Sequence, residues 1–197
     1  MNNTVLTRTY SNLPFSKNEI LKYARCNKAT PETDELFEIC LSEIKDKLTY
    51  KICYTILPLQ VSDTFCDFDV FKVNSKKLSE NLKGCKRAII FAATTGIEAD
   101  RLILKYGALS PSKALMFQAI GTAQAEALCD AFCKDMESEL QTKLRKRFSP
   151  GYGDLDISLQ TDIFKILDCY KNIGLTLNDS LLMTPTKSVT AFVGITD

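Results

Sequence analysis

Arg147 and Tyr152, five residues apart in the stretch RFSPGYGD (147–154), are the pair best suited to gripping a ligand. The guanidinium of Arg147 can hold a carboxylate through two parallel hydrogen bonds. The ring of Tyr152 offers a face to a cation or a flat ring, and a hydroxyl besides. Between them, Pro150 biases Ser149 toward extended backbone. Gly151 and Gly153 permit backbone geometry and close approach that other residues resist. Backbone committed to neither helix nor strand can present its N–H and C=O groups to a ligand. Together these features suit a small zwitterion that carries a ring. The same residues could serve as a helix stop, a turn and a packed tyrosine, and residue types alone leave both readings open.

Other chemistry is narrower. The chain has no histidine, which excludes Ser-His and Cys-His catalysis and His-ligated metals. Its eight cysteines include no CxxC pair, the spacing usual in zinc and thioredoxin-like sites. They read as reduced, mostly buried thiols. Cys129 and Cys133 would share one helix face. As a thiol enzyme or metal pair they would need a lysine or carboxylate base, or further ligands. The acids at Glu98 and Asp100 suit a helix dipole, and Asp154 and Asp156 suit a turn. No residue is assigned a catalytic or metal-binding role. Lys187 reads as a solvated lysine. In KLRKR (143–147) the first cations complement the negative end of a preceding helix. A nucleic-acid patch is disfavoured there, because DMESEL lies just upstream and no aromatics interleave.

The elements that must position these residues follow from periodicity. A helix is expected over 16–26 behind Ser16, and another over 30–48, capped by Thr30 with Pro31 in its first turn. YKICYTILPLQV (50–61) reads as a strand. Cys66, Phe68 and Val70 alternate with Asp67 and Asp69, so 64–73 reads as a second strand, paired with the first as a hairpin. A short helix (75–84) stops at Gly84. The apolar run 86–94 is a buried central strand, followed by a helix over 96–107. A long helix runs from about Ser112 to Lys146, with a small-residue face at Ala119, Ala123, Ala127 and Ala131. A helix over 158–174 stops at Gly174, and SVTAFVGI (188–195) is a closing strand. The expected class is α+β, a mixed, largely antiparallel twisted sheet with packed helices. One domain is expected over 1–197, with residues 1–50 its N-terminal helical part.

At 197 residues, 45% hydrophobic and 25% charged, the chain can bury a real core. A net charge of +1 gives no field toward nucleic acid or membrane, and no apolar run reaches the length of a membrane span. Residues 1–15 carry no basic segment followed by an apolar one, so the cytoplasm is the expected compartment.

Three segments, in order, resemble the activation (reactivation) domain of cobalamin-dependent methionine synthase. AQAEALCDAF (123–132) is similar to its Ala-Glu-Ala helix. RFSPGYGD carries its Arg-x-x-x-Gly-Tyr pattern, and IGLTLNDSLLMTPTKSV (173–189) its Met-x-Pro-x-x-Ser-Val signature. The match is specific over about residues 110–195. Upstream, LPFSKNEILKYARC and AIIFAATTGIEADRL look like the shorter, free-standing members. The fused domains follow the tyrosine with a Cys-Pro-type segment, where this chain has GDLDISLQ. The resemblance implies that the chain binds S-adenosylmethionine, with Arg147 on the methionine carboxylate and Tyr152 and Gly151 enclosing the ligand near its sulfonium. It places backbone at Phe148 and Ser149 against the adenine, and Glu126 as a nearby polar contact. It further implies docking on a separate corrinoid-binding methyltransferase, or a methionine synthase lacking its own activation domain. There an external, flavodoxin-like reductant supplies an electron to cob(II)alamin, and the ligand's methyl group passes to the cobalt. Cobalamin would enter only through that partner, because the chain shows no cobalamin, folate or homocysteine module. The alternative is a non-catalytic ligand-sensing or interaction protein that retains the fold.

Overall fold

The computed structural model describes residues 4–26 and 29–196. Five strands form the main sheet in the order β1 (Leu6–Tyr10), β2 (Tyr50–Pro58), β6 (Arg87–Thr94), β10 (Ser188–Thr196) and β7 (Lys143–Leu144). Every pairing in it is antiparallel. Its centre is made by the runs that looked most apolar. Ile89, Ile90 and Phe91 of β6 and Ala191, Phe192 and Val193 of β10 are all fully buried.

Both faces of the sheet are covered. One carries α5 (Pro111–Leu140), a helix about 45 Å long at 1.5 Å per residue. Its C-terminal half lays Leu128, Cys129, Phe132 and Met136 on Ile52, Phe91 and Val193. Its N-terminal half faces α1 (Lys17–Tyr23), α2 (Pro31–Ile44) and α4 (Glu98–Leu109) through Phe117, Ala119, Ile120 and Ala123. At Gly121 the close approach is literal: an added Cβ would stand 3.1 Å from the Ala99 Cβ and 2.8 Å from the Lys187 Cγ. The other face carries α3 (Lys76–Leu82), α6 (Gln160–Leu167) and α7 (Cys169–Ile173), with Leu78, Ile163, Leu167 and Cys169 in one cluster with Ile90 and Phe192.

The expected caps form. Ser16, Thr30 and Ser75 each accept a backbone N–H three residues on, and Gly84 and Gly174 take positive φ where α3 and α7 stop. Five expectations are corrected. Residues 1–50 are not wholly helical: Leu6–Tyr10 is an edge strand paired with Tyr50–Tyr54. The segment 64–73 does not continue as a strand, because Asp69 takes φ +70° and divides it into β4 (Phe65–Asp67) and β5 (Lys72–Asn74). Only β3 (Gln60–Val61) pairs with β4, and the main strand β2 pairs with β1 and β6 instead. The long helix ends at Leu140, where Gln141 takes φ +51° and Thr142 N–H returns to Glu137 O. Lys143, Arg145 and Lys146 therefore lie on the edge segment beyond the helix, not in its last turn. The helix over 158–174 is broken by Asp168, at φ +43°, into α6 and α7. Two short strands, β8 (Thr176–Leu177) and β9 (Met183–Thr184), pair within the second signature. Among the described residues no helix is long and apolar enough to cross a membrane.

Candidate ligand site on the edge of the sheet

The stretch 147–154 leaves the sheet edge and is tied down at both ends. At its start, Phe148 N–H donates to Phe192 O and Phe148 O accepts from Phe192 N–H, each at 2.9 Å, extending the edge of β10. At its end, the Asp154 carboxylate accepts from the Ser75 hydroxyl at 2.5 Å and from the Lys76 N–H at 2.8 Å. It therefore satisfies orphan donors at the start of α3, which Ser75 caps from within. The chain between turns on itself: Tyr152 N–H donates to Ser149 O, Leu155 N–H to Tyr152 O, and Gly151 N–H to Leu155 O. Gly151 and Gly153 have φ +86° and +63°. At Gly153 a Cβ would also come within 2.5 Å of the Lys77 side chain, so both conformation and space call for glycine.

Arg147 points back at α5. Its Nη2 donates to Glu126 Oε2 at 2.7 Å and its Nη1 to Asp130 Oδ1 at 2.5 Å. The two acids are one helical turn apart, so a single planar guanidinium reaches both. Burial works against the cation, but Cys129, Asp130 and Glu126 outweigh it and raise its pKa. The Arg147 side chain is only 22% exposed, whereas that of Asp130 is 74% exposed. Burial, then the Glu126 carboxylate, raises the pKa of Tyr23 on α1. A groove of about 470 Å³ opens along Asp130, Cys133, Lys134, Glu137 and the chain from Leu144 to Arg147. That volume falls within the range of small-molecule sites, about 300–1,000 Å³.

The structure thus brings Arg147 and Glu126 into direct contact. Tyr152 is 72% exposed, with its ring edge-on to Phe148 at 6.4 Å between centroids. It does not line the groove. Phe148 is half-buried and packs on the core below. Its backbone N–H is committed to Phe192, so the bend offers a ligand the Phe148 ring, not that donor. Ser149 and Gly151 sit at the turn itself, Ser149 O accepting from Tyr152 and Gly151 N–H donating to Leu155.

The family model described as "Vitamin B12 dependent methionine synthase, activation domain" matches residues 79–196, a span that contains Glu126, the bend and the second signature. The chain belongs to this family. The likeness of fold extends further than the family match. The crystal structure of the MetH reactivation domain bound to AdoHcy superposes with a TM-score of 0.74 over 98% of this chain and 78% of that one. At 15% identity the two share a fold, β1 and the first helices included. No curated protein matches the chain.

Within this activation domain, three functional candidates escaped the sequence. Asp130 was legible in principle, four residues after Glu126 on the same face. Asp154 carried no signal, because its partners lie 77 to 79 residues away. Lys187, expected in water, is 7% exposed. The thiol alternative loses its physical basis. Burial pushes the Cys129 and Cys133 thiols up, although Arg147 pulls the other way, so neither is poised as a nucleophile.

The Asp154 tether sets a pH dependence. The Ser75 hydroxyl and the N–H groups of Lys76 and Lys77 hold its carboxyl below the usual carboxylate range. Its stabilising contribution is therefore complete above the unfolded-state value and is lost as pH falls through the lowered folded value. Asp154→Asn should unfold more readily than the parent at pH 7, and the gap should close in acid below about pH 4, read from urea midpoints across pH.

Proposed function

We propose that this activation domain binds S-adenosylmethionine at Arg147 and Glu126 and supports the reductive remethylation of a corrinoid held by a separate methyltransferase. The observation that carries the reading is the Arg147 guanidinium, largely buried and bridging Glu126 to the exposed Asp130 beside a groove of ligand size. A ligand carboxylate can replace Asp130 on Nη1 at small cost, since a carboxylate already mostly in water loses little on release. Glu126 then stays on Nη2 with its second oxygen free for the ligand's ammonium. Tyr152, exposed on its bend, gives an electron-rich ring for a sulfonium, and the neighbouring Phe148 ring an apolar surface. The binding of AdoHcy by the structurally similar MetH domain is consistent with this ligand class.

The ligand supplies the methyl group, and the partner supplies the corrinoid and receives the electron from a flavodoxin-like reductant. The residues of this chain bind and orient, and none need act as acid, base or nucleophile. Titration calorimetry with S-adenosylmethionine and S-adenosylhomocysteine tests the reading, followed by recovery of the oxidised corrinoid partner with reductant present. Saturable binding of one ligand per chain, with faster recovery of the partner, is expected. No heat at high ligand excess, with or without the partner, overturns it. Binding with no effect on recovery would mark a sensing protein that retains the fold.

A further inference from the structure

The edge segment that leads into the bend carries one residue more than the strand beside it. At its start the pairing with β10 is regular. Thr196 stands opposite Lys143 and Ile195 opposite Leu144, and Arg145 N–H donates to Gly194 O at 2.8 Å. At its end Phe148 and Phe192 exchange both main-chain bonds at 2.9 Å. The step from Gly194 to Phe192 is two residues, but the step from Arg145 to Phe148 is three. Lys146 and Arg147 therefore both stand against Val193, which makes a β-bulge. Among the described residues the N–H groups of Lys146 and Arg147 have no hydrogen-bond partner, as an interrupted ladder requires.

The extra residue decides which face of the sheet each side chain takes. Side chains of a regular strand alternate between faces. Leu144 packs on the α5 face, in the cluster of Phe132 and Val193. Arg145 takes the other face. A Cβ added at Gly194 would meet Arg145 Cγ at 3.1 Å and Cys85 Sγ at 2.7 Å, and Arg145 Nη2 donates to Lys83 O at 2.9 Å. Unbroken alternation would put Arg147 on that same α3 face and Phe148 on the α5 face. The structure has them reversed. Arg147 reaches Glu126 and Asp130 on α5, and Phe148 packs in the cluster of Leu78, Leu82 and Phe192. We propose that the bulge is the positioning device of the ligand site: the extra residue at Lys146 turns Arg147 onto the α5 flank, beside Glu126 and the groove. It acts through main-chain length and not through the lysine side chain. This rests on the reading under Proposed function.

Deletion of Lys146 restores two residues against two. The edge then pairs regularly, and Arg147 is drawn along β10 by up to one residue step, about 3 Å. Calorimetry should show S-adenosylhomocysteine weakened about tenfold or more, because a hydrogen bond to its carboxylate does not survive such a shift. The affinity for 5′-methylthioadenosine, which lacks the amino-acid end, should change less than about threefold. The urea midpoint should hold or rise, since the edge gains regular pairing. Lys146→Ala keeps the extra residue and should bind both ligands as the parent does. Parental affinity in the deletion variant, equal weakening of both ligands, or an equal loss in Lys146→Ala overturns the proposal while leaving the parent site standing. A lower midpoint with parental affinity, or failure to fold, assigns the extra residue to the fold instead and overturns it too. Amide exchange in the unaltered protein is an independent check. The Arg145 and Phe148 amides should exchange slowly and those of Lys146 and Arg147 fast. A regular edge would protect Arg145 and Arg147 instead, and that pattern also overturns the proposal. If the unaltered protein binds neither ligand, the reading of the site falls, and this inference with it.

Discussion

Arg147→Ala should lower the affinity for S-adenosylmethionine at least a hundredfold while the protein stays folded. The guanidinium is the only cation on the bend, its Nη1 is the donor that a ligand carboxylate would take from Asp130, and truncating one member of a hydrogen-bonded charge pair costs about 2–5 kcal/mol of binding. Its loss from the free protein is a smaller matter. Glu126 is half-exposed and Asp130 mostly exposed, and ion pairs with such acids contribute about 0–1 kcal/mol. The bend itself does not depend on the side chain, since the Phe148–Phe192 bridge and the Asp154 tether remain. The measurement pairs calorimetry with a urea titration. A variant that still binds near the parental affinity would show that the carboxylate is held elsewhere, and a variant that unfolds would show that Arg147 is a structural pin. Arg147→Lys should rescue little, because an ammonium lacks the planar pair of Nη donors that holds Glu126 on one side and the ligand carboxylate on the other.

Phe192→Ala should show the opposite pattern, a large loss of stability with a site that persists. The Phe192 ring is fully buried in the sheet centre, 5.2 Å from the Phe68 ring and 6.3 Å from that of Phe71. Removing a buried phenylalanine costs about 3–5 kcal/mol, the lost transfer energy plus the cavity it leaves. For a chain of this length that is a drop in Tm of roughly 10 °C. The backbone bridge to Phe148 survives the substitution, so ligand affinity of the folded fraction should change by less than about threefold. Urea unfolding with an unchanged slope and a lower midpoint would support this. A cost under about 1 kcal/mol would mean that Phe68, Phe71 and α6 close the gap.

The contrast between these variants follows what the sequence disclosed. The strong apolar runs became central strands, and Ser16, Thr30 and Ser75, each ahead of helical periodicity, became caps, because those signals are local. The misplaced boundaries share one cause. Asp69, Gln141 and Asp168 all take positive φ without being glycine, so a reading that uses glycine and proline as punctuation passes over them. Strand β1 escaped because it is a short edge strand whose pairing lies 40 to 48 residues away. At the candidate site, the Arg147–Glu126 pair was legible because the motifs hold both residues. Lys187 and Asp154 were not, because burial beside Gly121 and reach to the start of α3 exist only after folding.

The bend between its tethers holds itself together with main-chain hydrogen bonds alone: Gly151 to Leu155, Tyr152 to Ser149, Leu155 to Tyr152. None of these bonds reads the identity of a side chain at Ser149 or Tyr152. Natural variation can therefore rewrite those two side chains without renegotiating the scaffold that carries them.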